Sequence, residues 1–255
     1  DAATQEATFD VAAAEYCAGL ADTVVDKIIG TGTEKQFQFT GVIAEAKPTR
    51  DWISEIIGNA LGYYTVCFGR LKFGIRINAS AVESFTVGNL LLDSLKIDGR
   101  APDANHMVVA YADEDYAYAQ NALELKDDDF GARAGQPKKK NINLVGCSTK
   151  SQAARVCSVL FREMLGGTSL GEWTAGRQVE FQTTVLALNT EPGMVCSVTH
   201  PDAPGGVLKI RVQRWRLNRD YSITISGETV TASMYDLTVG PKPSDVAPDP
   251  IPAKN

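Results

Sequence analysis

The sequence predicts an α+β protein, in which a small helix–strand–helix–hairpin unit precedes a mostly antiparallel β-barrel domain with one packed helix. Apolar residues recur at helical spacing in three stretches. After about residue 90 the chain consists mainly of short β-rich runs separated by turn residues. The chain has 255 residues, of which 44% are hydrophobic and 22% charged. That composition is ordinary for a folded protein, and the length is enough to bury a sizeable core.

The three helices have recognisable starts. The first is predicted over about 11–29, with Asp10 as its N-cap. The second is expected to begin with a cap at Thr49. In the third, Thr149 and Gln152 fit a capping box. The apolar face of this third helix comprises Ala153, Val156, Cys157, Leu160, Phe161 and Met164.

The strands are predicted from alternation and from turn residues. Residues 35–45 indicate one strand, and Gly69-Arg70 indicates a tight hairpin between strands 63–68 and 71–77. Ser226-Gly227-Glu228 is expected to form the last hairpin turn, between strands 221–225 and 229–235. The other strands are predicted at 94–98, 106–112, 122–126, 178–186, 194–199 and 207–215.

Three regions follow from these elements. Residues 8–90 form the α+β unit, and residues 91–240 form the barrel, with a polar loop over 127–140. Residues 241–255 contain several prolines and predict an extended linker towards a further module.

The charge and cysteine pattern narrow the function classes. The net charge of −6 argues against a nucleic-acid or anionic-membrane partner. The five cysteines are scattered without a C-x-x-C pair, which favours reduced, partly buried thiols. No apolar run reaches the length of a membrane span, and no signal peptide is recognisable.

The sequence predicts no catalytic, cofactor-binding or metal-binding residue and no cofactor. His106 and His200 lie far apart, without further ligands at metal-binding spacing. The acidic clusters 113–115 and 127–129 could bind calcium or act as an acid–base pair, but neither has an EF-hand pattern, so solvated loops are expected. The sequence contains no G-x-S-x-G elbow, and no glycine-rich phosphate loop follows a predicted strand.

Two basic clusters have more than one interpretation. Lys138–Lys140 is expected to be a solvated loop or a contact with an acidic neighbouring subunit. Arg211, Arg214 and Arg216 surround Trp215 and are expected to be outer-face charges, or else an interface anchor. Because side chains alternate along a strand, Arg211 and Arg216 should lie on opposite faces.

A series of motifs in the second half of the chain occurs in a known order. They are the helix start Gly146-Cys147-Ser148-Thr149, then Gln152-Ala153-Ala154-Arg155, Pro192-Gly193-Met194-Val195-Cys196-Ser197-Val198, Ile210-Arg211-Val212, Leu217-Asn218-Arg219-Asp220 and Tyr235-Asp236. Earlier matches are Ala13-Ala14 with Cys17, Phe39-Thr40-Gly41-Val42-Ile43, the helix 52–62 and Gly69-Arg70-Leu71. This pattern resembles the central tail-hub proteins of long-tailed bacteriophages, the lambda-type tail-tip (host-specificity) family. Met194 and Thr40 depart from it, since aspartate and asparagine are usual there.

The resemblance, which covers about 8–240, implies a mechanical role and no enzymatic activity. The chain would form part of a trimeric central hub at the virion tail tip, assembled in the bacterial cytoplasm. It would join the tail tube to the receptor-binding parts and let phage DNA pass. Implied partners are two further copies, the distal tail or tube ring, the tape-measure and tip proteins, and a host receptor reached through neighbouring modules.

Two other functions remain as alternatives. In a carbohydrate-binding module for host recognition, exposed aromatic residues such as Trp173, Tyr116 or Tyr118 would stack on sugars. A tail-associated cell-wall hydrolase would need convergent carboxylates or a metal with histidine ligands in a cleft, and the sequence offers few candidates.

Overall fold

The structure is a computed structural model that describes residues 9–42, 45–67, 69–98, 104–126, 138–165, 176–237 and 243–246. Its α-helices are α1 (Val11–Ala21), α2 (Thr49–Gly58) and α3 (Lys150–Leu165). The first strands are β1 (Val24–Asp26), β2 (Thr33–Lys35), β3 (Gly62–Cys67), β4 (Arg70–Ile75), β5 (Glu83–Thr86), β6 (Lys96–Asp98) and β7 (His106–Asp113). The later strands are β8 (Ala119–Lys126), β9 (Lys139–Asn143), β10 (Gln178–Thr183), β11 (Val195–Thr199), β12 (Val207–Leu217), β13 (Ile223–Thr229) and β14 (Ser244–Asp245).

The predicted α+β class with mostly antiparallel sheets is confirmed. A six-stranded sheet has the order β5-β11-β12-β13-β10-β6, and a four-stranded sheet has the order β14-β8-β7-β9. The pairs β1–β2 and β3–β4 are separate hairpins. Only β5–β11 and β7–β9 pair in parallel among the described strands.

The strands of the second part do not form a closed barrel among the described residues. The six-stranded sheet is open, with the short strands β5 and β6 at its two edges, and β7, β8 and β9 belong to a different sheet. The six-stranded sheet nevertheless curls around its own core: Phe85 on the edge strand β5 contacts Phe181 on β10, with ring centroids 5.1 Å apart. Because β7 and β8 pair with β9 and β14 instead, they cannot complete a cylinder.

Helix α3 covers the four-stranded sheet, so its apolar face does not plug a barrel. It packs on β7 and β8, and Val156, Cys157 and Phe161 are buried there with Val109 and Leu123. The same core includes Phe37 and Leu61 from the first part of the chain. A second core lies within the curled six-stranded sheet and includes Val198, Ile210 and Ile225.

The first helix is shorter than predicted. Asp10 caps it as expected, because its Oδ1 accepts a hydrogen bond from the Ala13 amide at 3.0 Å. The helix ends at Ala21, and the chain turns into the β1–β2 hairpin. The β-branched run at Val24 and Val25 favours that strand, and Gly30 and Gly32 adopt the positive φ values of its turn.

Residues 36–42 form no strand, although Phe37 and Phe39 alternate with polar residues. The backbone of this stretch is hydrogen-bonded by side chains of α3. Gln152 Oε1 accepts from the Gln38 amide at 2.9 Å, and Gln152 Nε2 donates to the Gln38 carbonyl at 2.9 Å. Arg155 donates to the Gln36 carbonyl at 2.6 Å. These contacts take the place of a neighbouring strand.

Only half of the predicted capping box of α3 is present. The Thr149 hydroxyl accepts from the Gln152 amide at 3.3 Å, as a cap should. The Gln152 side chain points away and also donates to the Asn59 carbonyl at 3.2 Å. At α2, the expected Thr49 cap is wrong, because Thr49 is the first helical residue and Pro48 precedes it without a side-chain cap.

Strand β13 runs through the predicted last hairpin turn. Gly227 lies in the middle of β13, opposite Val179 of β10 and Val212 of β12. A Cβ at this position would lie 2.5 Å from the Arg211 carbonyl oxygen. Gly227 therefore allows the backbones of β12 and β13 to approach closely, and it does not mark a turn.

Two further differences concern residues expected to be loop or linker. Lys139 and Lys140 begin β9, which pairs in parallel with β7. In the proline-rich tail, Ser244 and Asp245 pair with β8. The rest of the predicted 127–140 loop, residues 127–137, lies outside the described residues.

Replacing Gln152 by alanine should lower the free energy of unfolding by about 3 kcal/mol. Gln152 is 1% exposed, and its loss would leave the backbone groups of Gln38 and the carbonyl of the buried Asn59 without their partner. The matched control is Gln213→Ala, because Gln213 is exposed and should change stability by less than about 0.5 kcal/mol. Urea unfolding of both variants gives the measurement, and equal stabilities would contradict the assigned role.

Gly227→Ala should destabilise the protein by about 2 kcal/mol, because the new Cβ would overlap a backbone oxygen that cannot swing away. Gly19→Ala is the control in the opposite direction. Gly19 lies in α1 with nothing within 4 Å of a new Cβ, so alanine should stabilise the helix by about 0.5–1 kcal/mol. A rise in melting temperature for Gly227→Ala would show that β12 and β13 are not this close.

The five thiols should separate into two reactivity classes. Burial raises the pKa of Cys147, Cys157 and Cys196 to about 12, from an ordinary 9.0. The fold therefore favours the neutral form of these thiols. Their contribution to the free energy of unfolding is fully present below pH 9.0 and is lost as the pH rises towards about 12. At pH 8, Ellman's reagent should modify the half-buried Cys67 and Cys17 in the native protein, and the other three only after unfolding. Equal reaction rates for all five thiols would contradict the burial of Cys147, Cys157 and Cys196.

Candidate functional site

The two histidines each face one carboxylate. His106 Nε2 lies 3.1 Å from Glu124 Oε2, and His200 Nδ1 lies 3.5 Å from Asp202 Oδ2. Within the described ranges, no three histidine, cysteine or acidic side chains come together as a metal site would require. Also among these residues, no helix combines the length and the apolarity of a membrane span.

Asp113 organises the turn between β7 and β8. Its carboxylate is buried and accepts hydrogen bonds from the Tyr111 hydroxyl and the Asn121 amide, both at 2.9 Å, and from the Asp115 backbone amide. Burial, and then the bond to Asp113, strongly raise the pKa of Tyr111. The residues of the first acidic cluster therefore do not share one solvated environment, because Asp113 is buried and stabilises the turn from inside. The second cluster, 127–129, lies outside the described residues.

The turn displays two tyrosines. Residues Glu114–Tyr118, here called the aromatic tip, contain Ala117 and Tyr118 at positive φ values of 55° and 60°. The Tyr118 amide donates to the Asp113 carbonyl at 2.7 Å, which holds this uncommon conformation. Tyr116 is 69% exposed and Tyr118 58% exposed. The exposure that the carbohydrate-binding alternative requires is thus present for both tyrosines, whereas Trp173 lies outside the described residues.

The three arginines of β12 lie on one face, so the expectation that Arg211 and Arg216 lie on opposite faces is wrong. Arg211 pairs with Glu228, Arg214 with Ser226 and Arg216 with Thr224, all of which are alternate residues of β13. A β-bulge between Val212 and Arg214 adds one residue and resets the alternation.

Arg211 is part of a buried junction, so it is not an outer-face charge. Its guanidinium lies 3.3 Å from Glu163 Oε1 of α3 and donates to the Tyr235 hydroxyl. The other Glu163 oxygen accepts from Arg76 at 2.6 Å. Glu163 therefore links the residue after β4 to the six-stranded sheet. Burial by itself lowers the pKa of Arg211, but contact with Tyr235 and then with Glu163 raises the pKa above its ordinary value.

The β3–β4 hairpin makes two more contacts with the loop before β11. The Tyr63 hydroxyl donates to the Gly193 carbonyl at 3.1 Å, and Lys72 lies 2.5 Å from Glu191 and 3.2 Å from Asp10. A cavity of about 210 Å³ lies at this junction, between the hairpin, α3 and β12. Among its charged lining residues, Arg76 and Arg211 both bind Glu163, and this shared carboxylate helps to hold the hairpin on the sheet.

The turn between β12 and β13 is the second exposed tip. Residues Arg216–Tyr221, here called the basic tip, include Arg219 and the exposed Leu217. Tyr221 is 74% exposed and has a positive φ of 62°. Asp220 accepts from the Ser222 hydroxyl and amide, which lower the pKa of its carboxyl group.

Helices α1 and α2 bury no residue completely. An apolar groove of about 250 Å³ lies between them and the β3–β4 hairpin, lined by side chains that include Cys17, Phe39, Ile56 and Phe73. This part of the chain therefore presents incompletely covered apolar surface.

The residues that carry the tertiary contacts were missed at the level of sequence. The sequence indicates Gln152 only as a cap and Arg155 only as part of a motif, and it does not distinguish Glu163 from other charged residues. Arg155 lies 2.7 Å from Glu34, and both side chains are almost completely buried. The available signal is the presence of long polar side chains, at Gln152, Arg155 and Glu163, in a helix that also has an apolar face.

Residues 93–218 match a family model described as a putative phage tail protein. A search of curated protein sequences finds no match. A chain of the virion of a native gene transfer agent (GTA) particle has a TM-score of 0.58 at 14% identity, covering 88% of this chain and 47% of that chain.

Two other solved structures have lower scores. They are the prophage MuSo2 43 kDa tail protein from Shewanella oneidensis (TM-score 0.47, 12% identity, 76% of this chain and 58% of that one) and the prophage tail protein gp18 from Listeria monocytogenes EGD-e (TM-score 0.38, 10% identity, 74% and 54%). The chain thus spans about half the length of each of these solved chains. The GTA chain shares the fold of this chain, and residues 93–218 resemble the phage tail family model.

Proposed function

We propose that this chain is a structural component of the bacteriophage tail tip, as part of a trimeric central hub. In this role it joins the tail tube to the receptor-binding parts and lets DNA pass during ejection. The observation that carries the proposal is the match of residues 93–218 to the phage tail family model. The fold shared with the GTA virion chain supports it.

The internal contacts suit a part that transmits force. Glu163 ties Arg76 to Arg211, and Arg155 pairs with Glu34 in the interior. Breaking a buried pair by removing one partner costs about 3–5 kcal/mol, so the Arg155–Glu34 pair resists separation of its two elements. The incompletely buried faces of α1 and α2 supply apolar surface for contacts with neighbouring proteins.

The three sequence regions take separate roles in this proposal. Residues 8–90 form an α+β hub subdomain, residues 91–240 form the ring-building β domain, and residues 241–255 lead to a further module. The partners are two further copies, the distal tail or tube ring, the tape-measure protein, the tip proteins and, through neighbouring modules, the host receptor. The protein is assembled in the host cytoplasm and resides in the virion tail tip, with no enzymatic role.

Carbohydrate binding in host recognition is the second candidate. The exposure of Tyr116 and Tyr118 is the observation that favours it, because exposed aromatic rings can stack on sugars. A carbohydrate-binding module would occupy the same position at the tail, so the two candidate functions differ in the ligand and not in the location.

The location should be visible in particles from a host that carries the gene for this chain. Immunogold labelling with antibodies against residues 93–218 should place gold at the distal end of the tail, and disrupting the gene should leave particles without a complete tail. Complementation with the intact gene is the control. Label on the capsid, or normal tails after disruption, would overturn the tail-tip role, whereas three copies per tip in a cryo-electron microscopy map would support the trimer.

A further inference from the structure

We propose that the aromatic tip of one copy binds the basic tip of a second copy, head to tail. The aromatic tip (Glu114–Tyr118) ends the β7–β8 hairpin of the four-stranded sheet, and the basic tip (Arg216–Tyr221) ends the β12–β13 hairpin of the six-stranded sheet. This inference rests on the proposed assembly role and names the surfaces that join the copies.

The aromatic tip is a preorganised acidic surface. The buried Asp113 fixes its turn from inside, so the two exposed tyrosines lose little conformational freedom on binding. The Asp115 carboxylate has no hydrogen-bond or ion-pair partner in the described part of the chain. Glu114 accepts a bond from the Ser148 hydroxyl at 3.1 Å, which anchors the tip to the loop before α3.

The basic tip and the adjacent end of β12 offer the complementary groups. Arg214 and Arg216 are alternate residues of β12 and therefore lie on one face, and Arg219 follows in the turn. Arg216 Nε donates to Asn218 at 3.1 Å, whereas neither Arg214 nor Arg219 has a partner among the described residues. The carboxylate of Asp220 is already hydrogen-bonded to Ser222. The three positive charges of Arg214, Arg216 and Arg219 exceed this one negative charge.

The two surfaces match in chemistry. Arginine binds carboxylates through paired hydrogen bonds and binds tyrosine rings through cation–π contacts of about 0.5–2 kcal/mol each. Tyrosine and arginine are also enriched where protein interfaces are strongest. No hydrogen bond or ion pair joins the two tips within the described chain, so each is available to another copy.

A second copy is the occupant that these charges favour. Every copy carries both tips, and a head-to-tail contact between different surfaces repeats from copy to copy, which closes a ring when the rotation permits. A sugar would use the tyrosines of one tip but would leave the unpaired arginines of the other unexplained. The contact should weaken with salt, because both surfaces are solvent-exposed.

Photo-crosslinking tests the contact directly. The substitution Tyr116→p-benzoylphenylalanine is introduced into the full chain. The variant is irradiated at concentrations of about 10–200 µM, because exposed interfaces are weak. Crosslinked peptides are then identified by mass spectrometry. Intermolecular crosslinks to residues 214–221 are expected. Crosslinks mainly to other segments, or monomer alone throughout the range, would overturn the proposal.

Charge reversal adds a complementation test. Asp115→Arg and Arg219→Asp should each lower the crosslink yield about tenfold, and mixing the two variants should restore it to within about threefold, because opposite charges again face each other. Glu15→Arg and Lys96→Glu are matched controls at exposed residues outside both tips. Equal losses in the controls, or no restoration on mixing, would count against the tip-to-tip contact.

The remaining outcomes separate this inference from the tail role. Gold at the tail end combined with crosslinks elsewhere would leave the tail role intact and overturn only the tip contact. If a glycan array binds the wild-type chain and Tyr116→Ala abolishes that binding without changing self-association, the aromatic tip binds sugar and the proposal is wrong.

Discussion

The fold depends on a helix that satisfies the backbone of another segment with its side chains. Gln152 and Arg155 of α3 bind the carbonyl and amide groups of residues 36–38, which have no neighbouring strand. An unpaired buried amide or carbonyl would cost about 1–3 kcal/mol, so these two side chains help to hold the segment in place. Backbone hydrogen bonds from the Gln36 amide to Thr23 and from the Phe37 amide to Ala21 hold it as well. The contact also places Phe37 in the core beneath α3.

Through the same helix, the N-terminal elements become attached to both sheets. The apolar face of α3 covers β7 and β8, its first turns hold residues 34–38, and Glu163 near its end links Arg76 to Arg211. A substitution in α3 therefore affects three parts of the molecule at once. This arrangement explains why a long, buried helix contains the polar residues Gln152, Arg155 and Glu163, which have their partners outside the helix.

The surface features complement this rigid interior. Both exposed tips end two-stranded hairpins, and each contains a tyrosine at positive φ held by hydrogen bonds of its own turn. Left-handed residues other than glycine are uncommon, and they persist where the surrounding structure fixes them. The tips are therefore well-defined surfaces for recognition, in contrast to the apolar faces of α1 and α2, which offer area without directional groups.

The sequence by itself determined the fold class, the three helices, the Asp10 cap, the Gly69 hairpin and most strands, because these depend on local periodicity and turn chemistry. It could not determine which strands pair, and so a barrel was expected where two sheets form. A single bulge after Val212 decided that three arginines share a face, and no alternation rule applied to the sequence reveals such an insertion. Likewise, Gln152, Arg155 and Glu163 gain their roles only from residues more than 45 positions away. The tertiary structure decided the junction and the tips, because their chemistry depends on long-range contacts and burial.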